Sequence, residues 1–270
     1  MVWIRGNFFG AFNNGNDVEN DGNKWVAVGA GATNTIWYSY NGIDWVSLGN
    51  TIFNSVGGSV RWNGIQWVAG GNTGKLAYSS NGIDWTSIVS SPFNNLVEAF
   101  AWNGNKWIAM GGLSSINNMA YSTNGTTWVG FGKPVFSSSA NGIAYGNGIW
   151  VTAGTGTNTL AYSYNGDDWF GLGTNIFSTI GINVVYANSM FLAFGGGTNS
   201  IAYSYNGVDW FGNGISIFST YRYYADWIGS KWIGVGQGTN TLADSINKTA
   251  WTGLGKGLFE FIGRAISIRK

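Results

Sequence analysis

The sequence predicts an all-β chain made of six copies of one four-stranded unit, and three observations carry that prediction. The first is the stretch Tyr162-Ser163-Tyr164-Asn165-Gly166-Asp167-Asp168-Trp169, whose copies begin at Tyr38, Tyr78, Tyr121, Tyr162 and Tyr203, with a decayed copy from Asp244 to Trp251. A self-similar step of 40 to 43 residues marks a repeat architecture. The second is a large aromatic residue ahead of each copy, at Trp25, Trp67, Trp107, Trp150, Phe191 and Trp232. The third is a closing phenylalanine at Phe53, Phe93, Phe136, Phe177, Phe218 and Phe259. All three markers count six. Four-stranded antiparallel units repeated around an axis form a β-propeller. We therefore expect a single domain over 1–270, with blades over 13–53, 54–93, 94–136, 137–177, 178–218 and 219–259. The terminal segments 1–12 and 260–270 are expected to close the ring. A seven-bladed ring with one partial blade is the alternative, because Trp3 sits one repeat ahead of Trp45 and 264–268 falls where a seventh first strand would begin.

Each element follows from local chemistry, shown best by the unit from 179 to 218. Asn183-Val184-Val185-Tyr186 reads as a first strand, with a tight turn at Ala187-Asn188-Ser189. Met190 to Phe194 reads as a second strand, followed by a Gly-rich connection from Gly195 to Asn199. Ser200 to Ser204 is the third, Asn206-Gly207 a hairpin turn, and Asp209-Trp210-Phe211 the opening of the fourth. Short runs rich in aromatic and β-branched residues, bounded by Asn-Gly and Gly clusters, are strand signals. Asn-Gly tolerates positive φ at both turn positions, which suits a two-residue hairpin. With 44 Gly, 2 Pro and no sustained 3.6-residue period, no helix is expected. Whether Asp17-Val18-Glu19 or the C-terminal strand completes the first blade stays open at this level.

The recurring stretch resembles the Asp-box, or BNR-type, turn of sialidase-like propellers, with Asn standing where that family has Asp. The resemblance implies a propeller in which these residues staple the hairpin between third and fourth strands. On that reading Ser39, Asn41, Trp45, Ser79, Asn81, Trp85, Ser122, Asn124, Trp128, Ser163, Asn165, Trp169, Ser204, Asn206, Trp210 and Trp251 are structural turn residues. Ser and Asn side chains bond their own turn backbone, and the indole packs on the blade. The array as a whole is also similar to Asn-rich repeat proteins of large DNA viruses.

Composition narrows the function. Charged residues make up 9% and the net charge is +1, with no run of like charge. Nucleic-acid binding needs a basic stripe to displace phosphate counterions, so no nucleic-acid partner is expected. No stretch reaches the ~18 apolar residues that span a bilayer, and the start lacks a signal-peptide pattern. Cys and His are absent, which removes disulfides, thiolate or imidazole metal sites and the commonest general base. Cytoplasmic synthesis, for use in a virion or other assembly, is the expected setting, with no cofactor and no metal.

A sialidase-like site would need an arginine clamp and supporting carboxylates. The five arginines are Arg5, Arg61, Arg222, Arg264 and Arg269, and the glutamates are only Glu19, Glu98 and Glu260. Asp44, Asp84, Asp168 and Asp209 repeat at one turn position, and repeated residues serve the fold more often than a single reaction centre. No catalytic residue is assigned, and a two-carboxylate glycosidase is the remote alternative. The expected activity is binding. Loops between second and third strands carry a second motif, giving candidate ligand residues Thr33, Asn34, Asn118, Thr157, Asn158, Thr198, Asn199, Thr239 and Asn240. Amides and hydroxyls beside aromatic rings suit sugars, and repeated weak sites gain avidity. Glycan recognition or surface attachment is thus the first expectation. A structural scaffold packing against a protein surface, a second copy of the chain included, is the other.

Overall fold

In blades 2 to 6 the first strand runs into an aromatic hairpin. In the computed structural model, which describes residues 14–112, 116–215, 217–218 and 220–256 and not the side chains of 220–223, Trp62 meets Trp67 with ring centroids 5.2 Å apart. The same pair recurs as Trp102–Trp107, Tyr145–Trp150, Tyr186–Phe191 and Trp227–Trp232, at 4.7–5.5 Å. Such pairs contribute about 0.5–1.5 kcal/mol each beyond their buried area.

Internal contacts group the chain into two compact units that divide between Gly132 and Lys133. Three sheets lie in the first. Blade 1 comprises β1 (Asn14–Asn20), β2 (Trp25–Ala30), β3 (Ile36–Ser39) and β4 (Val46–Ser47). Blade 2 comprises β5 (Gly57–Trp62), β6 (Trp67–Gly71), β7 (Leu76–Ser79) and β8 (Thr86–Ile88), with one 3-10 turn at Asn72–Gly74. Blade 3 comprises β9 (Val97–Trp102), β10 (Trp107–Gly111), β11 (Met119–Ser122) and β12 (Val129–Gly132). Three more lie in the second unit. Blade 4 comprises β13 (Ala140–Gly146), β14 (Ile149–Gly154), β15 (Leu160–Ser163) and β16 (Phe170–Gly171). Blade 5 comprises β17 (Ile180–Ala187), β18 (Met190–Gly196), β19 (Ile201–Ser204) and β20 (Phe211–Gly212). Blade 6 comprises β21 (Thr220–Trp227), β22 (Trp232–Gln237), β23 (Leu242–Ser245) and β24 (Thr252–Gly253).

Every sheet is a simple antiparallel meander of four strands. Asp17-Val18-Glu19 lies in β1, which pairs with β2, so the N-terminal side completes blade 1. The proposed closing segments 1–12 and 260–270, and Phe259, lie outside the described residues.

Two local expectations are corrected. The fourth strands begin after their tryptophan, not on it: β20 starts at Phe211, and Asp209-Trp210 belong to the turn. The Asn-Gly turns ahead of them are not two-residue hairpins either. Only the glycine takes positive φ there (Gly207, 77°), and the asparagine works through its side chain. The turn with both central residues left-handed joins first and second strands instead, at Asn147 (φ 50°) and Gly148 (φ 78°), and at Asn188 (φ 50°) and Ser189 (φ 58°).

Cores form between successive blades of a unit. Val151 and Leu160 of blade 4 pack with Phe177, Val184 and Phe191 in one buried cluster. Phe53, Phe93, Phe136 and Phe177 each reach forward into the next second strand, where a glycine makes room. A Cβ on Gly195 would lie 2.2 Å from Phe177 Cγ, and one on Gly71 2.3 Å from Phe53 Cδ1. Glycine is required there by close approach, not by backbone freedom. In blades 1 and 4 the bulge of the first strand adds a polar tie to the next blade. The bulge residue Asn16 donates to the Gly57 carbonyl at 2.9 Å, and Asn141 to Gly181 at 2.7 Å.

Candidate interaction surface

The repeated turns are closed hydrogen-bond circuits. In blade 5, the Ser204 hydroxyl donates to Asn206 Oδ1 and accepts from Gly207 N–H at 2.8 Å. Asn206 Oδ1 also accepts from Val208 and Asp209 N–H, each at 2.9 Å, while its amide donates to Asp209 Oδ2 at 2.8 Å. Trp210 Nε1 donates to the Gly207 carbonyl at 3.1 Å. The same circuit forms around Ser39, Asn41 and Trp45, and around Ser79, Asn81 and Trp85. Around Ser122, Asn124 and Trp128 it forms without the acidic clamp, since Thr127 replaces the aspartate. Around Ser163 and Asn165 it forms except that the buried Trp169 N–H has no partner among the described residues. The sixth turn keeps the Asn247 acceptor and the Trp251 N–H, which donates to Lys248 O at 2.9 Å. The repeating aspartates Asp44, Asp84, Asp168 and Asp209 each accept from their turn asparagine at 2.8–2.9 Å.

The Thr-Asn loops are engaged in the same way. Asn158 Nδ2 donates to the Val135 carbonyl at 2.7 Å, and its Oδ1 accepts from Gly173 N–H at 2.8 Å. Asn199 repeats this with Ile176 O and Gly214 N–H, and Asn240 with Ile217 O and Gly255 N–H. Thr157 and Thr198 donate to Val135 O and Ile176 O. Thr239 is exposed at the same place in blade 6. In blade 3 this position belongs to Asn117, whose amide donates to Pro92 O and accepts from Gly132 N–H. Asn118 is one residue out of register and buried, matching Thr159, so it presents nothing to a ligand. In blade 1, Asn34 Nδ2 donates to Thr33 Oγ1 at 3.1 Å. An amide with both ends already bonded has little left for a sugar hydroxyl.

A charged cluster that breaks the repeat symmetry joins β1 and β5. Asp17 Oδ2 accepts from Arg61 Nη1 at 2.6 Å, Ser59 Oγ at 2.7 Å and Val60 N–H at 3.1 Å. Arg61 also donates to Val60 O at 2.7 Å, with Glu19 Oε2 4.0 Å from its Nε. The carboxylate is thus consumed by its own scaffold. Near it, burial works to raise the Asp21 carboxyl, yet hydrogen bonds from Lys24 N–H, the Lys24 ammonium and Asn23 N–H outweigh it and hold the group below its usual range. No cluster of three or more metal-ligating acids occurs among the described residues. No helix there is long and apolar enough to cross a membrane.

What remains unspent is aromatic. The fourth strands are sheet edges, and four carry an exposed apolar residue at the position facing the third-strand tyrosine: Val46, Val129, Phe170 and Phe211. Phe170 (50% exposed) stacks on Tyr162 at 5.4 Å, and Phe211 (53%) on Tyr203 at 5.3 Å. Tyr164 (65%) and Tyr205 (51%) stand edge-on to the same tyrosines. Blade 1 offers a smaller version in Tyr40, Tyr38 and Val46.

Comparison with solved structures decides the architecture. A chain of a mitotic checkpoint complex superposes with a TM-score of 0.67 at 13% identity, over 91% of this chain and 80% of that one. The WD40 β-propeller domain of Doa1 does so with 0.65 at 11% identity, over 90% and 82%. The computationally designed protein Ika8 gives 0.61 at 12% identity, over 92% and 76%. The fold is a six-bladed β-propeller. No protein-family model and no curated protein matches the sequence. The Asp-box and viral resemblances therefore rest on the repeated motif alone, while the propeller rests on shape.

Proposed function

We propose that the chain is a non-enzymatic scaffold that binds protein partners through the aromatic edges of its blades. The observation that carries this reading is the exposed stack of Tyr162, Tyr164 and Phe170, repeated in blade 5 as Tyr203, Tyr205 and Phe211. Exposed tyrosine and phenylalanine in rigid positions supply contact area at little entropic cost and are enriched at protein interfaces. The turn asparagines and the asparagines Asn158, Asn199 and Asn240, by contrast, are bonded within the fold. Two structural neighbours support the reading in kind: one is a chain within a multi-protein complex and one a WD40 propeller. The glycan reading is less favoured at three of its proposed contacts, because Asn158, Asn199 and Asn240 hold loops together.

The test uses the intact chain and a variant with Tyr164, Phe170, Tyr205 and Phe211 changed to Ser. Species captured by the wild type are identified, purified and titrated against both proteins by calorimetry. Partner affinity at least tenfold weaker for the variant, at unchanged thermal stability, supports the proposal. Equal affinity for both, or saturable binding on a glycan array with no protein partner, sinks it.

A further inference from the structure

The two aromatic stacks of blades 4 and 5 are alike in sequence and geometry, but among the described residues only that of blade 5 carries a cation over it. Over the blade 5 stack lies the ammonium of Lys248, 4.8 Å from the Tyr205 ring centre and 5.4 Å from that of Tyr203. It also donates to the Tyr205 hydroxyl. Lys248 comes from the blade 6 turn, where it occupies the place of the repeat glycine and keeps that glycine's left-handed backbone, at φ 62°. The corresponding residue over blade 4 is Gly207. A Cβ there would lie 2.7 Å from Val151 Cγ2, so no side chain can cover the Tyr162–Tyr164–Phe170 stack from that position. Blade 4 also carries one carboxylate more beside its stack, with Asp167 and Asp168 where blade 5 has Val208 and Asp209. Both acids are exposed.

We infer that the blade 4 stack receives a lysine or arginine side chain of a protein partner, in the manner that Lys248 occupies the blade 5 stack. The inference rests on the scaffold reading and specifies the chemistry its partner presents. Aromatic faces attract cations through their quadrupole, and the adjacent carboxylates add a screened attraction of the same sign. The additional carboxylate, Asp167, distinguishes this recognition from that of a neutral sugar, which gains nothing from local negative charge.

The experiment follows ring and amide NMR signals of residues 162–170 while N-acetyl-lysine methylamide is added. Its Nε-acetylated form, neutral but of similar shape, is the control probe. We expect saturable shifts with the cationic probe, about two- to five-fold weaker affinity for the neutral one, and further weakening with salt, as an exposed cation–π contact dictates. Tyr164→Ala should abolish the shifts and Tyr164→Phe should keep them. Lys248→Gly should open a second set at Tyr203 and Tyr205. Equal binding of both probes overturns the inference and leaves the scaffold proposal standing, since an apolar interface needs no charge. Absence of any shift, in the wild type and in Lys248→Gly alike, also overturns it. Shifts by a neutral methyl glycoside but not by the lysine probe overturn both readings.

Discussion

Changing Asn158 to Ala separates a loop that binds from a loop that is bound. The side chain makes two hydrogen bonds to neighbouring connections, one from each end, to Val135 O at 2.7 Å and from Gly173 N–H at 2.8 Å. It also lies flat on Gly171, where a Cβ would come within 2.3 Å of Oδ1. At about 0.5–1.5 kcal/mol net per bond, Asn158→Ala should destabilise by about 1–3 kcal/mol. In a chain of this size that lowers Tm by roughly 2–4 °C per kcal/mol. Asn34 is the internal control, because its amide donates to the neighbouring Thr33 Oγ1 on the surface. Asn34→Ala should stay within about 0.5 kcal/mol of wild type. Urea unfolding monitored by tryptophan fluorescence reads both variants. Equal midpoints for the two would refute the assignment of Asn158 as a clamp and return the Thr-Asn loops to the ligand reading.

Three further outcomes follow from the packing. Gly195→Ala forces a methyl into Phe177 and the Ile180 carbonyl, and should cost about 3 kcal/mol or more, whereas Gly15→Ala, with open space around it, should be near neutral; denaturant midpoints compare them. Asp17→Ala removes three bonds to Arg61, Ser59 and Val60 and should cost about 2–4 kcal/mol, somewhat less than a fully dry ion pair because the Arg61 side chain is 20% exposed. Asp21 holds its proton less tightly folded than unfolded, so its contribution is present above the ordinary carboxylate range and is lost as pH falls through the lowered folded value; Asp21→Asn should flatten that part of an acid-unfolding profile.

Strand count and meander order were legible in the sequence because one aromatic pattern marks every sheet. The turn circuits were legible in outline, since Ser and Asn at fixed offsets bond their own backbone. What escaped was geometry that depends on a neighbour. Asn16 and Asn141 sit at bulges, where an extra residue leaves the ladder and turns its amide toward the next blade. No local period reports that. Asn118 was assigned by its adjacency to Asn117, and only the register of β11 against β12 shows which of the two clamps the loop. The Asp17–Arg61 pair joins residues about one repeat apart, and a search for opposite charges at that spacing would have found it.

Divergence between copies is where this repeat speaks about use, and Lys248 is the clearest instance. Five turns keep glycine where the backbone is left-handed; the sixth holds lysine at φ 62°, a conformation that costs a residue with a Cβ about 1–2 kcal/mol. Its ammonium over Tyr203 and Tyr205 returns about 0.5–1 kcal/mol at an exposed site. Lys248→Gly should therefore leave stability unchanged or raise it by up to about 1 kcal/mol, against the intuition that removing a well-placed cation weakens a fold. A loss larger than about 1 kcal/mol in chemical unfolding would mean that the ammonium contributes more than exposure allows. The blade 5 stack would then be a structural joint, and its resemblance to the open stack of blade 4 would carry no information about partners.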